Sequence, residues 1–173
     1  MNFWRNVVST QKLPASQVAI KVKLSKTGVA NFFHVLQDTP ELFHPLYDLA
    51  LAIFNPKNFT LRQREIIILR IAGIRHSQYE LFHHNTLALS SGLIQFEIDQ
   101  IVNGDGLASR EENILLETID KLLKNEKFDN TEFLEHFDRH HLEYITAYIG
   151  FYVWLDTYTK ALNLDIGQRT WEK

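Results

Sequence analysis

The chain has 173 residues, enough for one domain with its own hydrophobic core, and its 45% hydrophobic and 23% charged residues are ordinary for a globular protein. A formal net charge of −3, with 18 Lys and Arg scattered along the chain, gives no electrostatic footprint for nucleic acid or acidic lipid, so neither partner is expected. There is no cysteine, which excludes disulfides, thiolate metal sites and every cysteine-based mechanism; a cytoplasmic location is the working expectation.

The opening residues, MNFWRNVVSTQKLP, lack the continuous apolar core of a signal peptide. Residues 18–24, VAIKVKL, alternate like a strand, but no second convincing strand is there to pair with it. Residues 1–25 therefore read as an extended arm or irregular lead-in. Beyond them apolar residues recur at helical spacing, punctuated by only 7 Gly and 4 Pro. The pattern predicts helices at about 26–37, 40–54, 61–74, 77–91, 94–103, 109–124, 131–137 and 139–162. Thr39 offers an N-cap with Pro40 at the first helical position, where a missing N–H does no harm. Thr60 with Gln63, Ser77 with Glu80, and Ser109 with Glu112 all have capping-box spacing, and Gly92 suits a helix end that needs positive φ. The expectation is an all-α, single-domain bundle of about 7–8 helices over residues 26–173, with no repeat and no dividing linker.

The last predicted helix is unusually aromatic. Its apolar stretch, residues 142–155, carries Glu143 and is too short for a membrane span. Tyr144, Tyr148, Phe151, Tyr152, Trp154 and Tyr158 spread around most of its circumference. A helix apolar all round is buried on several sides, and aromatic enrichment is typical of subunit interfaces. Two readings follow: a central core helix, or, preferred here, a helix packed in part against another subunit.

Chemistry-bearing residues concentrate between positions 61 and 92. Glu65 shares a helix face with Ile68, Leu69 and Ala72, three, four and seven positions on. A carboxylate on an apolar face must be paired, hydrogen-bonded or protonated, and burial moves its pKa towards neutrality, as a general acid or base requires. On the following helix, Glu80, Leu81, His84, Leu87, Ala88 and Ser91 fall on one side, whereas His83 falls with Thr86 and Ser90 on a more polar one. His84 is then the candidate for a pocket and His83 for the surface. Glu80 and His84, four apart, are within reach of each other, and an imidazole beside a carboxylate is a common acid–base pair. Structural roles compete with this reading. Glu65 has possible arginine partners in Arg62 or Arg75, Glu80 fits the Ser77 capping box, and His84 fits a satisfied core histidine.

Three runs in order, L-x-x-R-E-x-x-I-L-x-I-A (Leu61 to Ala72), S-x-Y-E-x-x-x-H (Ser77 to His84) and S-G-L-x-x-x-E-I (Ser91 to Ile98), resemble the core of the carboxymuconolactone decarboxylase and alkylhydroperoxidase D-like superfamily. The resemblance covers about residues 60–103, and YIGFYVWLDTYTKALNL also looks like that family's last helix. It implies an alkylhydroperoxidase D-like helical fold and assembly as trimers or hexamers. Carried over by position, the two cysteines of the peroxidase branch fall on Ser77 and Glu80, its histidine on His84 and its upstream glutamate on Glu65. A hydroxyl cannot replace a thiolate, so thiol peroxidase and disulfide-reductase activities are excluded. The form Tyr79-Glu80 with His84 is similar to the decarboxylase branch, which implies cofactor-independent proton transfer and loss of CO2 from a lactone acid. Glu65, Glu80 and His84 would then be catalytic, with Ser77 and Tyr79 against the substrate. The long N-terminal arm departs from that branch.

The leading expectation is thus a cofactor-free lyase or isomerase acting on a small carboxylated ring or lactone. The alternative is a non-catalytic, homo-oligomeric protein that binds a small ligand and keeps the fold. A metal site is the third reading. Glu132, His136 and His140 are spaced four and four, with His141 and Glu143 nearby, but their mixed, charged flanks read as a solvated face, so no metal is expected. No dinucleotide or phosphate loop is present, and Gly104-Asp105-Gly106 is an ordinary turn.

Overall fold

A computed structural model describes residues 31–36, 38–54 and 58–166. The predicted arm, residues 1–25, and the opening of the first predicted helix lie outside them. The described residues form helices α1 (Asn31–Leu36), α2 (Pro40–Phe54), α3 (Leu61–Arg75), α4 (Gln78–Ser90), α5 (Gln95–Asn103), α6 (Arg110–Leu123), α7 (Thr131–His136) and α8 (Arg139–Ala161), and contain no strand. The all-α expectation is met, with boundaries within one or two residues of those read from the sequence where both ends are described.

The middle of the bundle is α3, which packs against α4, α5, α6 and α8. Nine consecutive residues, Glu65 through Gly73, are buried, so this helix is covered on every side. β-Branched isoleucines at 66, 67, 68 and 71 are only middling helix formers, and it is burial that holds them helical. Two apolar clusters meet across α3. Ile67, Ile68 and Ile71 join residues of α1, α2, α6, α7 and α8, while Ile66 and Leu69 join Ala88, Leu93, Ile98 and Ile101 of the α4–α5 side.

Capping fixes the ends of α3. Thr60 forms the expected box, its Oγ1 accepting from the Gln63 N–H at 3.1 Å while its own N–H donates to Gln63 Oε1 at 2.9 Å. At the other end His76 adopts a left-handed conformation, φ 51°, and the Ser77 N–H returns to the Ala72 carbonyl at 2.9 Å. This tight reversal launches α4 back along α3. Gly92 follows α4 at φ 96°, as expected. Ser109 receives the Glu112 N–H, but the Glu112 carboxylate binds Arg62 instead of closing a box.

Gly73 permits α5 to lie directly on α3. A Cβ at this position would fall inside contact distance of the Val102 carbonyl oxygen, a backbone atom that no rotamer change can clear. We therefore expect Gly73→Ala to destabilise the fold by about 1–3 kcal/mol, as overpacked cores do. A urea-unfolding midpoint equal to the wild type would refute this close approach.

The aromatic residues of α8 find partners within the chain. Tyr148, Phe151 and Tyr152 are buried, and Trp154 stacks on Tyr158 at 5.0 Å between ring centroids. The helix packs on α2, α3, α4 and α6, with Tyr144, Trp154 and Tyr158 left half-buried. None of the described helices is long and apolar enough to cross a membrane.

Candidate active site

The reversal at residues 75–77 sets the first turns of α4 beside the inner length of α3, and three side chains singled out by the sequence meet there. Glu65 Oε2 lies 2.8 Å from His84 Nδ1, and Glu80 Oε2 lies 3.6 Å from His84 Nε2. All three residues are buried, none more than 4% exposed. Glu65, Glu80 and His84 thus form one row from α3 to α4, with Glu65 hydrogen-bonded to the imidazole Nδ1 and Glu80 facing Nε2 beyond hydrogen-bond distance.

The partner of Glu65 is neither of the arginines named from the sequence. Arg64 Nε donates to Glu65 Oε1 at 2.8 Å and its Nη2 lies 2.6 Å from the same oxygen. Arg62 instead ties Glu97 to Glu112 across the ends of α5 and α6, and Arg75 pairs with Asp156. Burial alone would raise the Glu65 carboxyl, but His84 and Arg64 together outweigh it and hold the group below the usual carboxylate range. Burial likewise opposes charge on His84, yet the facing Glu65 and Glu80 win and raise its pKa. Glu80 goes the other way: burial dominates over the attraction of His84, Asp156 adds repulsion, and its carboxyl is pushed up to about 7.

Residues that the sequence reading did not assign to the site complete it. The Tyr152 hydroxyl of α8 sits 3.2 Å from His84 Nε2, with its ring edge-on to the imidazole. The Phe54 ring of α2 lies parallel to the imidazole, 9° between planes and 6.3 Å between centroids. Arg64 covers that ring at 5.7 Å and donates to the Phe54 carbonyl at 2.7 Å. Asp156, fully buried on α8, lies 3.0 Å from Arg75 and 2.7 Å from Lys160. A signal for the last pair was present, because Tyr152 and Asp156 are four apart and share a face of α8. Arg64 was legible as the neighbour of Glu65 in the Arg-Glu dipeptide.

Two expectations need correction, and one spacing noted in the sequence is broken. Ser77 is the N-cap of α4, but its side chain makes no capping bond, and Glu80 turns inward to His84 rather than back to the cap. His83 is not at the surface: it is 5% exposed, because Tyr79 one turn earlier packs on its ring at 4.5 Å and Phe82 at 5.3 Å. The helical spacing from Glu132 to His140 does not exist, because Phe137 is extended (φ −132°, ψ 156°) between α7 and α8. Glu132 binds Arg110 and His140 lies 3.2 Å from Glu143. Among the described residues no group of three or more acidic or histidine side chains is arranged to hold a metal.

Ser77 Oγ is buried, 1% of the residue being exposed, and has no hydrogen-bond partner among the described residues. Ser77 borders an open cleft of about 280 Å³ together with His76, Gln78, Thr159, Lys160 and Asn163. Tyr79 also borders it, although its hydroxyl already accepts the Phe32 N–H at 3.4 Å. The cleft lies at the N-terminal end of α4, one turn from Glu80. In comparisons with known proteins, no family model and no curated sequence matches this chain.

Proposed function

We propose that the chain is a carboxymuconolactone decarboxylase-like protein of alkylhydroperoxidase D-like fold, a cofactor-independent lyase or isomerase that moves protons on a small carboxylated ring or lactone. The observation that carries this reading is the row Glu65–His84–Glu80, in which one buried imidazole is hydrogen-bonded to Glu65 and faces Glu80, whose carboxyl burial pushes up to about 7. Glu65, locked by Arg64, fixes the ring and stabilises its cationic form. His84 and Glu80 then carry a mobile proton between them. In a decarboxylation, the bond to CO2 breaks and its electron pair delocalises into the lactone carbonyl. The carbon is quenched by the proton delivered from His84.

We assign the substrate's carboxylate to the cleft bordered by Ser77, one turn from Glu80, where the positive end of the α4 dipole favours an anion; Glu80 itself does not line the cleft, and Lys160 there is paired with Asp156. The same reading implies a trimer or hexamer, with half-buried Tyr144, Trp154 and Tyr158 as aromatic surface for a neighbouring copy.

The test is CO2 release and lactone isomerisation by the purified protein, offered carboxymuconolactone and related carboxylated butenolides. We expect turnover to fall by about 10²–10⁴-fold in both Glu65→Gln and His84→Ala, the usual worth of a positioned acid–base group. Turnover unchanged in both variants would remove these roles. Saturable binding of the same acids with no turnover would favour the non-catalytic ligand-binding protein.

A further inference from the structure

His84 offers a single place for proton exchange. Glu65 is an ionised carboxylate and only accepts hydrogen bonds, so at 2.8 Å it requires a proton on Nδ1 in both states of the ring. Every gain or loss of a proton therefore takes place at Nε2. That nitrogen faces two groups on different helices, the Tyr152 hydroxyl of α8 at 3.2 Å and Glu80 Oε2 of α4 at 3.6 Å.

We infer that Tyr152 is a positioning residue whose hydroxyl competes with Glu80 for His84 Nε2 and holds the imidazole in its neutral, Nδ1–H form. The two competitors differ in what they can offer. Tyr152 is buried, and that burial together with the carboxylates of Glu80 and Glu65 keeps its hydroxyl protonated, so it remains a donor for the Nε2 lone pair. Glu80 as a carboxylate has no donor, and it is the stronger acceptor for an Nε2–H. With Glu80 ionised, the neutral ring thus belongs to Tyr152 and the cationic ring to Glu80. Nε2 lies within hydrogen-bond distance of the tyrosine hydroxyl and beyond it from Glu80 Oε2.

The other groups facing the imidazole do not exchange roles in this way. Glu65 and Arg64 come from α3, α2 contributes only the Phe54 ring, and Asp156 acts on Glu80 from the next turn of α8. The inference rests on the reading of His84 as the proton-exchanging group, but its test does not depend on turnover.

The experiment is a pH titration of His84 by ¹⁵N and ¹³C NMR in full-length wild type, Tyr152→Phe and Glu80→Gln. Removing the hydroxyl takes a hydrogen bond from the neutral ring alone. We expect Tyr152→Phe to raise the His84 pKa by roughly half to one pH unit while Nδ1 stays protonated. Glu80→Gln should shift it down, and 3-fluorotyrosine at position 152, a stronger donor with the same ring, should also lower it. The fluorinated protein serves as the probe should the phenylalanine variant not fold. A His84 pKa unchanged or lowered in Tyr152→Phe, or unmoved by fluorination, overturns the assignment. Failure of the decarboxylation assay with these shifts present would refute the proposed substrate and leave the Tyr152 role standing.

Discussion

Glu65→Ala should cost about 3–5 kcal/mol of stability, far more than an ordinary surface change, because it leaves the buried His84 and the partly buried Arg64 without their anion. His84 is 5% exposed at its side chain and Arg64 12%, so neither recovers the lost interaction from water without rearranging. Urea unfolding measures the loss directly, and in a chain of this length it corresponds to a fall of roughly 10 °C in melting temperature. Glu65→Gln keeps an oxygen for His84 Nδ1 but gives up the ionic contact with Arg64, so it should fall between alanine and wild type. A loss below about 1 kcal/mol for the alanine variant would mean that water or another group replaces the carboxylate. In that case Glu65 would not be the anchor of the imidazole. The comparison also separates stability from chemistry, since Glu65→Gln is the variant in which a turnover loss can be read on a folded protein.

Most of the helical order was legible because the chain gives each helix a separate local signal. Thr60 with Gln63 starts α3, Ser109 starts α6, and Gly92 supplies the positive φ after α4. What could not be read was which faces are covered, since that depends on neighbours distant in sequence. His83 shows the difficulty. On a helical wheel it belongs with Thr86 and Ser90, yet the Tyr79 ring one turn earlier closes over it. Helix α8 shows the converse. Its aromatic excess offered both a core and a subunit reading, and contacts with four helices of the same chain bury Tyr148, Phe151 and Tyr152 while Tyr144, Trp154 and Tyr158 stay half-buried.

Of the residues that converge on His84, those close to it in sequence were singled out and those contributed by tertiary contact were not. Glu65, Glu80 and His84 lie within twenty residues of one another in the sequence, on two helices joined by a tight reversal. Tyr152 and Asp156 come from a helix about seventy residues further on, where an aromatic run hides the hydroxyl that reaches His84 among core rings. The arginine was misassigned for a different reason. Helical spacing pointed Glu65 towards residues a turn or more away, but a long guanidinium can fold back onto the next residue, as Arg64 does.

Glu80→Gln should make the protein more stable than wild type at pH 8, and leave it equal at pH 4.5. The folded protein holds the Glu80 carboxyl at about 7 against an ordinary 4.5, a consequence of burial first. Between those two values the unfolded chain has released this proton and the folded chain has not. Stability therefore falls as pH rises from 4.5 through 7, by about 3 kcal/mol for this group alone. His84, with its pKa also raised, adds a loss of the same sign as pH rises above 6.5 through its folded value. Glu65, whose pKa is lowered, acts oppositely: its contribution is present above 4.5 and is lost as pH falls through its folded value. Glutamine has the shape of the protonated carboxyl but nothing to ionise, so the Glu80 part of the decline should vanish in the variant. Unfolding free energies of the two proteins between pH 4.5 and 8 measure this directly. Parallel curves would show that Glu80 ionises in the folded protein as freely as in the unfolded chain, and the proton-exchanging pair with His84 would be lost with it. A divergence that opens between pH 5 and 7 would place the cost of that ionised carboxylate inside the fold, where a proton-transfer site at neutral pH requires it.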